Sequence, residues 1–547
     1  MKVLGSGNPN ARIMLIGEAP SAEDEARGRP FSGTYGHTLD KMLHAVGINR
    51  TECFVTNVCR HRPPGNVIQR WLGFRFIGGA FRKSENPLAT AEFRGQSVHP
   101  FIAAGVEELR EEIERVNPRV IVPMGNLALW ACTGEWGITN WRGSELTVGG
   151  RKCVPTLQPV EVVHNWPTRP LVITDLWRVE REQHSTEYPK RDWDVTISPT
   201  FAQVSQYLDA CWASSKLVWD IETSRGHIMC IGVANGPKSA LCIPFVSHGK
   251  PYWSPEEEAT IVFATYGLMR EPRITHVFQN GLYDEQYFLE HWHFAPTLLT
   301  GNVRDTMVNS HVAFLRQPKD LATQASLYCE HYRFWKEDGK DYRSKGDETA
   351  NWYYNAEDCI RTWECDEATS SAVVALGNSA QSRFQHALRV PVLWAMRRGV
   401  RTDVEARRTL KRELDCERET RQNVLRGILG HDLNTRSTRQ MRTTFYADMG
   451  IKVIKNRTSG QPTLGEAALV QIGKTNSILR PLVNTVREIQ TIRTLKSNFL
   501  NQEVDPDGRV RCMFQPAGPY TIRLSSSANA FGRGGNLQNV PTRGTKS

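Results

Sequence analysis

Lys216-Leu217-Val218-Trp219-Asp220-Ile221-Glu222-Thr223 is an apolar stretch carrying two acids two residues apart. In a strand, the period of two sets both carboxylates on one face. Burying two like charges side by side is costly unless a cation neutralises them. The pair therefore reads either as part of a metal site or as an exposed strand edge. Two later segments add residues of related chemistry. Phe278-Gln279-Asn280-Gly281-Leu282-Tyr283-Asp284 follows a short apolar strand, Ile274-Thr275-His276-Val277. Tyr354-Asn355-Ala356-Glu357-Asp358 opens a helix on which Tyr354 and Asp358, at i and i+4, share a face. Glu357 falls on another face of that helix and is expected to be solvated.

The chain that must position these residues has 547 of them, enough for three or four domains at about 150 residues each. Its 68 Lys and Arg against 58 Asp and Glu give a net charge of +10, which fits a polyanionic partner such as nucleic acid. With 40% hydrophobic and 23% charged residues, a disordered or collagen-like chain is excluded. No apolar run approaches the roughly 20 residues of a membrane span, so no membrane association is expected. Met1-Lys2-Val3-Leu4-Gly5-Ser6 lacks the apolar core of a signal peptide. Twelve cysteines contain no C-x-x-C pair, and apolar neighbours at Cys230 and Cys242 suggest buried thiols. Such usage points to a reduced compartment, the cytoplasm.

Along the chain, Ile13-Met14-Leu15-Ile16 ends in a Gly/Pro turn before an amphipathic stretch from Thr38 to Ala45. Val120-Ile121-Val122 follows a helical pattern from Val106 to Arg115. Short apolar strands alternating with helices imply a parallel α/β sheet with its ligand at the carboxyl ends of the strands. The chain turns polar from Glu180 to Lys190, and a second α/β unit runs to about Gly377, with Leu217–Trp219 and Met229–Ala234 placed to pair as a hairpin. After Ser382 the pattern is mainly helical, with amphipathic stretches from Val404 to Leu425 and from Leu482 to Leu500. The expected domains are 1–185, 191–377 and 383–547.

The acid set of the middle domain, D-x-E then N-x-x-Y-D then Y-x-x-x-D, resembles the DnaQ-like 3′–5′ exonuclease domain of family-A DNA polymerases. Asp305-Thr306-Met307 and Lys319-Asp320-Leu321-Ala322 sit where that family has similar motifs. The resemblance implies an RNase H-like fold and two divalent ions, Mg²⁺ or Mn²⁺, that clamp the attacking water and the leaving 3′ oxygen of a phosphodiester. Asp220, Glu222 and Asp358 would be direct ligands, and Asp284 would hold the second ion directly or through water. Tyr354 would orient the attacking water, and Asn280 would contact DNA.

Gly17-Glu18-Ala19-Pro20-Ser21, Gly28-Arg29-Pro30-Phe31-Ser32-Gly33, Phe54-Val55-Thr56-Asn57-Val58 and Arg62-Pro63-Pro64-Gly65-Asn66 resemble, in order, motifs of family-4 uracil-DNA glycosylases. The resemblance covers roughly Val3 to Arg178 and implies a Rossmann-like three-layer α/β/α fold. Its uracil pocket would involve Glu18, Phe31, Asn57 and Gln158, with Phe31 stacked on a flipped uracil and Asn57 bonded to its edge. The family often carries four cysteines on an iron–sulfur cluster. Here no cysteine pair precedes Gly5, His61 stands at one expected cysteine and none lies near His99-Pro100, so no cluster is expected. The family's His-Pro motif appears as Leu157-Gln158-Pro159. Glutamine cannot carry the positive charge that stabilises a departing uracil anion, so a weakened or non-catalytic domain is expected. His61 and His164 are expected to be surface or packing residues.

The C-terminal third resembles the start and thumb of a family-A polymerase module, through Arg389-Val390-Pro391-Val392-Leu393, Gly399-Val400-Arg401-Thr402-Asp403, Thr521-Ile522-Arg523-Leu524-Ser525-Ser526 and Asn536-Leu537-Gln538-Asn539-Val540-Pro541. The resemblance implies contacts of Lys496, Arg523, Asn536, Gln538 and Asn539 with primer–template DNA. It also implies palm acids and a fingers helix beyond Ser547. A second polypeptide carrying palm and fingers is then the expected partner, and apolar faces around Phe499, Met513, Phe514 and Leu524 are expected to be exposed. The sequence as a whole reads as a multidomain α/β protein, the N-terminal portion of a phage-type replicative polymerase. It would proofread single-stranded DNA and grip primer–template in the host cytoplasm, and would not polymerise alone. The alternatives are a DNA-binding, uracil-sensing subunit without enzymatic activity and an active uracil-DNA glycosylase.

Overall fold

The computed structural model describes residues 1–337, 346–456 and 461–540. The protein forms two compact units, Met1–His386 and Ala387–Ser547. Pro541 of the Asn536–Pro541 segment lies outside the described residues. Among the described residues, no helix is long and apolar enough to cross a membrane.

The first unit contains two six-stranded sheets. In the front sheet Phe54–Asn57, Ile13–Gly17, Val120–Pro123 and Arg151–Cys153 lie side by side and parallel. Ser6–Gly7 and Leu146–Val148 close the two edges antiparallel. Unbroken apolar runs suit central strands covered on both faces, and alternation sorts them between two cores. Ile13, Leu15, Val120 and Val122 pack with Leu39, Met42, Leu43 and Leu176 on one side. Met14, Ile16 and Ile121 pack with Ile102, Val106, Leu109 and Ile113 on the other. The result is the three-layer α/β/α arrangement, with helices Thr34–Ala45 and Arg169–Glu182 over one face and Pro100–Val116 over the other.

The middle sheet runs Asp194–Thr196, Ser239–Pro244, His227–Ala234, Lys216–Ser224, Thr275–Phe278, Val303–Asp305. Lys216–Ser224 and His227–Ala234 form the anticipated hairpin, with a register shift between Glu222 and Thr223. Thr275–Phe278 and Val303–Asp305 extend the sheet in parallel. The helix Glu348–Ala375, capped by the Asp347 carboxylate on the Ala350 N–H, covers one face. Its Trp352, Ala356, Cys359, Ile360 and Trp363 pack on Val218, Cys230, Cys242 and Val277. Gly232 permits that close approach: a Cβ there would lie 2.7 Å from Asn355 Oδ1 and from Cys359 Sγ.

The second unit is mainly helical. Val404–Leu429, capped by Asp403, packs along Arg480–Leu495. Leu425, Leu433, Phe445, Leu469, Leu482 and Val486 form its core. Helix Arg480–Leu495 continues as a wider π turn, Lys496–Leu500. The apolar exposure expected around Phe499, Met513, Phe514 and Leu524 is not found. Met513 is buried and Phe499, Phe514 and Leu524 are half-buried; Met513–Gln515 pairs with Ser525–Ser527 and packs by the helix Arg389–Arg398.

Candidate functional site

Asp220, Glu222 and Asp358 each bring a carboxylate oxygen within 4.8 Å of the others. The hairpin strand supplies the first two from one face, and the covering helix supplies the third. Asp284 stands in the first turn of Leu282–His291, buried, its Oδ1 accepting the Ile221 N–H at 3.2 Å. It borders the three converging acids without being one of them. The turn before it is fixed from below: Asp305 accepts the Asn280 N–H at 3.0 Å and the Gly281 N–H at 2.9 Å, which holds Asn280 at φ 61°. Tyr354 lies one turn before Asp358, half-buried.

Burial pushes the Asp220 carboxyl well above its ordinary range, and Asp358, Asp284 and Glu222 push it the same way, with Lys336 opposing. Burial also raises Asp284. Burial, followed by the Asp358 charge, raises the Tyr354 hydroxyl. Close-set hard oxygen donors with a surplus of negative charge are what a divalent cation of the Mg²⁺ or Mn²⁺ type requires, so the residues present fit such an ion.

Three neighbours were not anticipated. Asn355 donates from Nδ2 to Asp220 Oδ2 at 2.8 Å and to its carbonyl at 3.2 Å. Trp335 Nε1 donates to Asp358 Oδ1 at 2.6 Å. Lys336 Nζ donates to the Tyr354 hydroxyl at 2.7 Å and also to Asp358 Oδ2. Asn355 adjoins a motif residue, so helical geometry could have suggested it. Trp335 and Lys336 lie in a stretch without periodicity. The expectation for Glu357 is corrected: it is buried, not solvated, and pairs with Arg361 one turn on at 2.6 Å. The face that isolated helix geometry turns to water is here covered by Trp335 and Arg361.

The front sheet places a second candidate site at the carboxyl ends of its parallel strands. A cavity of about 370 Å³ is lined by Glu18, Phe31, Tyr35, Asn66, Gln158 and His164, among others. Glu18 accepts the Leu127 N–H at 2.9 Å, and burial raises its carboxyl despite that bond and one from Gln158. Gly17 lets Phe31 and Asn57 close in, since a Cβ there would lie 2.4 Å from Asn57 Oδ1 and 2.6 Å from the Phe31 ring. Asn57 is 2% exposed, and its Nδ2 has no hydrogen-bond partner among the described residues. His61 stacks on Phe101 at 4.0 Å and His99 on Trp71 at 4.5 Å.

In the second unit Arg523, Gln538 and Asn539 are exposed. Asn536 accepts the Gln538 N–H at 3.2 Å and the Ser526 hydroxyl at 2.9 Å, capping the short helix Leu537–Asn539. Lys496 differs from the expectation that it contacts primer–template DNA. It is buried, and its ammonium pairs with Asp415 across the packed helices.

Residues 4–179 match the model of the uracil DNA glycosylase superfamily. A type-4 uracil-DNA glycosylase of Thermotoga maritima is 32% identical over 166 residues, 30% of this chain and 72% of that protein. The DNA polymerase of Bacillus phage SP01 is 21% identical over 618 aligned positions, covering 96% of this chain and 62% of the phage protein. DNA polymerase I of Pseudomonas aeruginosa is 23% identical over 373 positions, 64% of this chain and 39% of that enzyme. The chain thus spans less than two thirds of either polymerase. Over most of its length the chain is similar to these two DNA polymerases, and through residues 4–179 it belongs to the uracil DNA glycosylase superfamily.

Proposed function

We infer that the middle sheet carries a metal-dependent 3′–5′ exonuclease acting on DNA, within a polymerase-type protein whose second unit grips primer–template. The convergence of Asp220, Glu222 and Asp358 beside Tyr354 carries this reading. These three acids would hold Mg²⁺ or Mn²⁺, and Asp284 is positioned to serve a second ion directly or through water. Bound there, the ions would supply charge stabilisation at the attacking and leaving oxygens of the phosphodiester. The chain's own residues do the positioning. Asn355 fixes the Asp220 carboxylate through Oδ2, and the Tyr354 hydroxyl is available to orient a water. Asn280 and the exposed Arg523, Gln538 and Asn539 are the proposed DNA contacts, with Asn536 shaping the turn that presents the last two.

The test is shortening of single-stranded DNA from its 3′ end by the full chain with Mg²⁺ or Mn²⁺, and its arrest by chelator. Asp220→Ala should lower the rate by at least a hundredfold while leaving the fold intact. Equal degradation by wild type and variant would overturn the assignment.

A second reading concerns the front cavity, and is favoured by the similarity to the Thermotoga type-4 glycosylase together with the Glu18, Phe31 and Gln158 lining. The pocket would accept a flipped uracil with little or no excision, because Gln158 offers hydrogen bonds but no cationic form. Abasic-site formation on a uracil oligonucleotide well above a no-enzyme control would overturn the non-catalytic part of this reading.

A further inference from the structure

The segment from Ser326 to Lys336 belongs by sequence to the exonuclease fold, yet it lies against the front domain. Its backbone is clasped there by buried side chains. Arg178 donates to the Ser326 carbonyl at 2.6 Å and to the Cys329 carbonyl at 2.7 Å. Arg142 donates to the Ser326 hydroxyl at 2.6 Å while also donating to Asp175, which accepts the Thr156 hydroxyl at 2.7 Å as well. The Glu145 N–H donates to the Tyr332 carbonyl at 2.7 Å, and the Phe334 N–H donates to Ser144 Oγ at 3.0 Å. Tyr332, Phe334 and Trp335 are buried in one core with Trp141, Leu176 and Val179 of the front domain.

The far end of this strap touches the acidic centre. Trp335 and Lys336 are the residues that donate to Asp358, and Lys336 also donates to the Tyr354 hydroxyl. Arg361, over the Trp335 ring at 4.3 Å, ties the strap to the same helix through the His331 carbonyl at 3.1 Å. One side of the exonuclease centre is therefore held in place by a segment whose own anchorage is the glycosylase-like domain.

We propose that the front domain is a positioning element of the exonuclease: by clasping the strap Ser326–Lys336 it sets Trp335 and Lys336 against Asp358 and Tyr354, whatever the front cavity itself binds. This rests on the exonuclease reading of the acidic centre. Trp335 and Lys336 act through Asp358 and Tyr354, so they are positioning residues.

The test uses the full chain. Arg178→Met keeps the buried stem and removes the donors to the strap. Trp335→Phe keeps an aromatic ring, though a smaller one, and removes the indole N–H. Lys336→Met and Lys336→Arg form a rescue pair. Four quantities are read: kcat and KM on single-stranded DNA, Mn²⁺ affinity by calorimetry, and amide hydrogen exchange of the strap. Arg178→Met should speed strap exchange, weaken Mn²⁺ binding severalfold and lower kcat at least tenfold, with KM within about twofold of wild type. Trp335→Phe should reproduce the Mn²⁺ and kcat effects; Lys336→Met, which removes a cation from Asp358, should lower kcat without weakening Mn²⁺ binding, and Lys336→Arg should recover most of kcat. Should Arg178→Met fail to fold, Ser144→Ala, which removes one acceptor from the strap, replaces it with smaller changes of the same sign. Faster strap exchange with wild-type kcat and Mn²⁺ affinity would overturn the proposal. Absence of metal-dependent degradation in the wild type would instead overturn the exonuclease reading, a result told apart because it appears before any substitution is made.

Discussion

At Asp220, burial and the charges of Asp358, Asp284 and Glu222 act in one direction, raising the carboxyl, while Lys336 acts against them. A group whose folded-state pKa is raised takes up a proton on folding, so its ionisation destabilises the fold as pH climbs above the ordinary carboxylate value of 3.8. In chelator at pH 7, Asp220→Asn should therefore be more stable than wild type and melt at a higher temperature. Its side-chain oxygen can still accept from Asn355. Added Mn²⁺ should raise the wild-type melting temperature and leave the variant nearly unmoved. A variant that melts no higher in chelator would show that the acids do not crowd one another. In the front cavity, Gln158→His introduces a side chain that can become cationic beside Glu18. It should raise uracil excision at least tenfold over wild type, and unchanged abasic-site yields would place the block elsewhere in the pocket.

Among the elements, the strand Lys216–Ser224 is joined to Thr275–Phe278 by a buried polar contact, Trp219 Nε1 donating to His276 Nδ1 at 3.1 Å. Burial lowers the His276 pKa from 6.5 to about 4. The folded state thus binds fewer protons than the unfolded state between these values, so stability is complete above pH 6.5 and declines as pH falls toward 4. The loss should approach a few kcal/mol, on the order of 1.4 per pKa unit. His276→Gln retains an acceptor for Trp219 and should flatten the pH dependence of the melting temperature over this window; an unchanged slope would reject the assignment. These strands and the helix bearing Tyr354 and Asp358 were legible because acids on an apolar strand, and a tyrosine and acid one turn apart, declare both element and face. Trp335 and Lys336 were not, because nothing local in Phe334-Trp335-Lys336 says which helix it will meet. Glu357 was misread for the same reason. Its helical face is defined by Arg361 and Trp335 rather than by water, and only the folded chain brings Trp335 there.

For the whole molecule, the charge of +10 sets the expectation for DNA affinity. Binding of primer–template should weaken linearly in log–log terms as salt rises. Arg523→Ala should cost about 1–3 kcal/mol if that exposed side chain reaches base edges, and Lys496→Ala should act chiefly on stability through its lost partner Asp415. Affinity insensitive to salt would remove the electrostatic argument. The order of the three regions was readable from motifs, whereas the fusion of the first two into one compact unit was not, since it depends on the strap. That strap also bears on how the protein is made. The partners Arg142 and Ser326 are 184 residues apart in the chain, and Ser144 and Phe334 are 190 apart. Contacts so distant form late, after the entropy of closing a long loop has been overcome. During synthesis the front domain, emerging first, can fold before the strap exists. The acidic centre then closes onto a surface already built, and on the proposal above a nascent chain lacking that surface would have no completed centre.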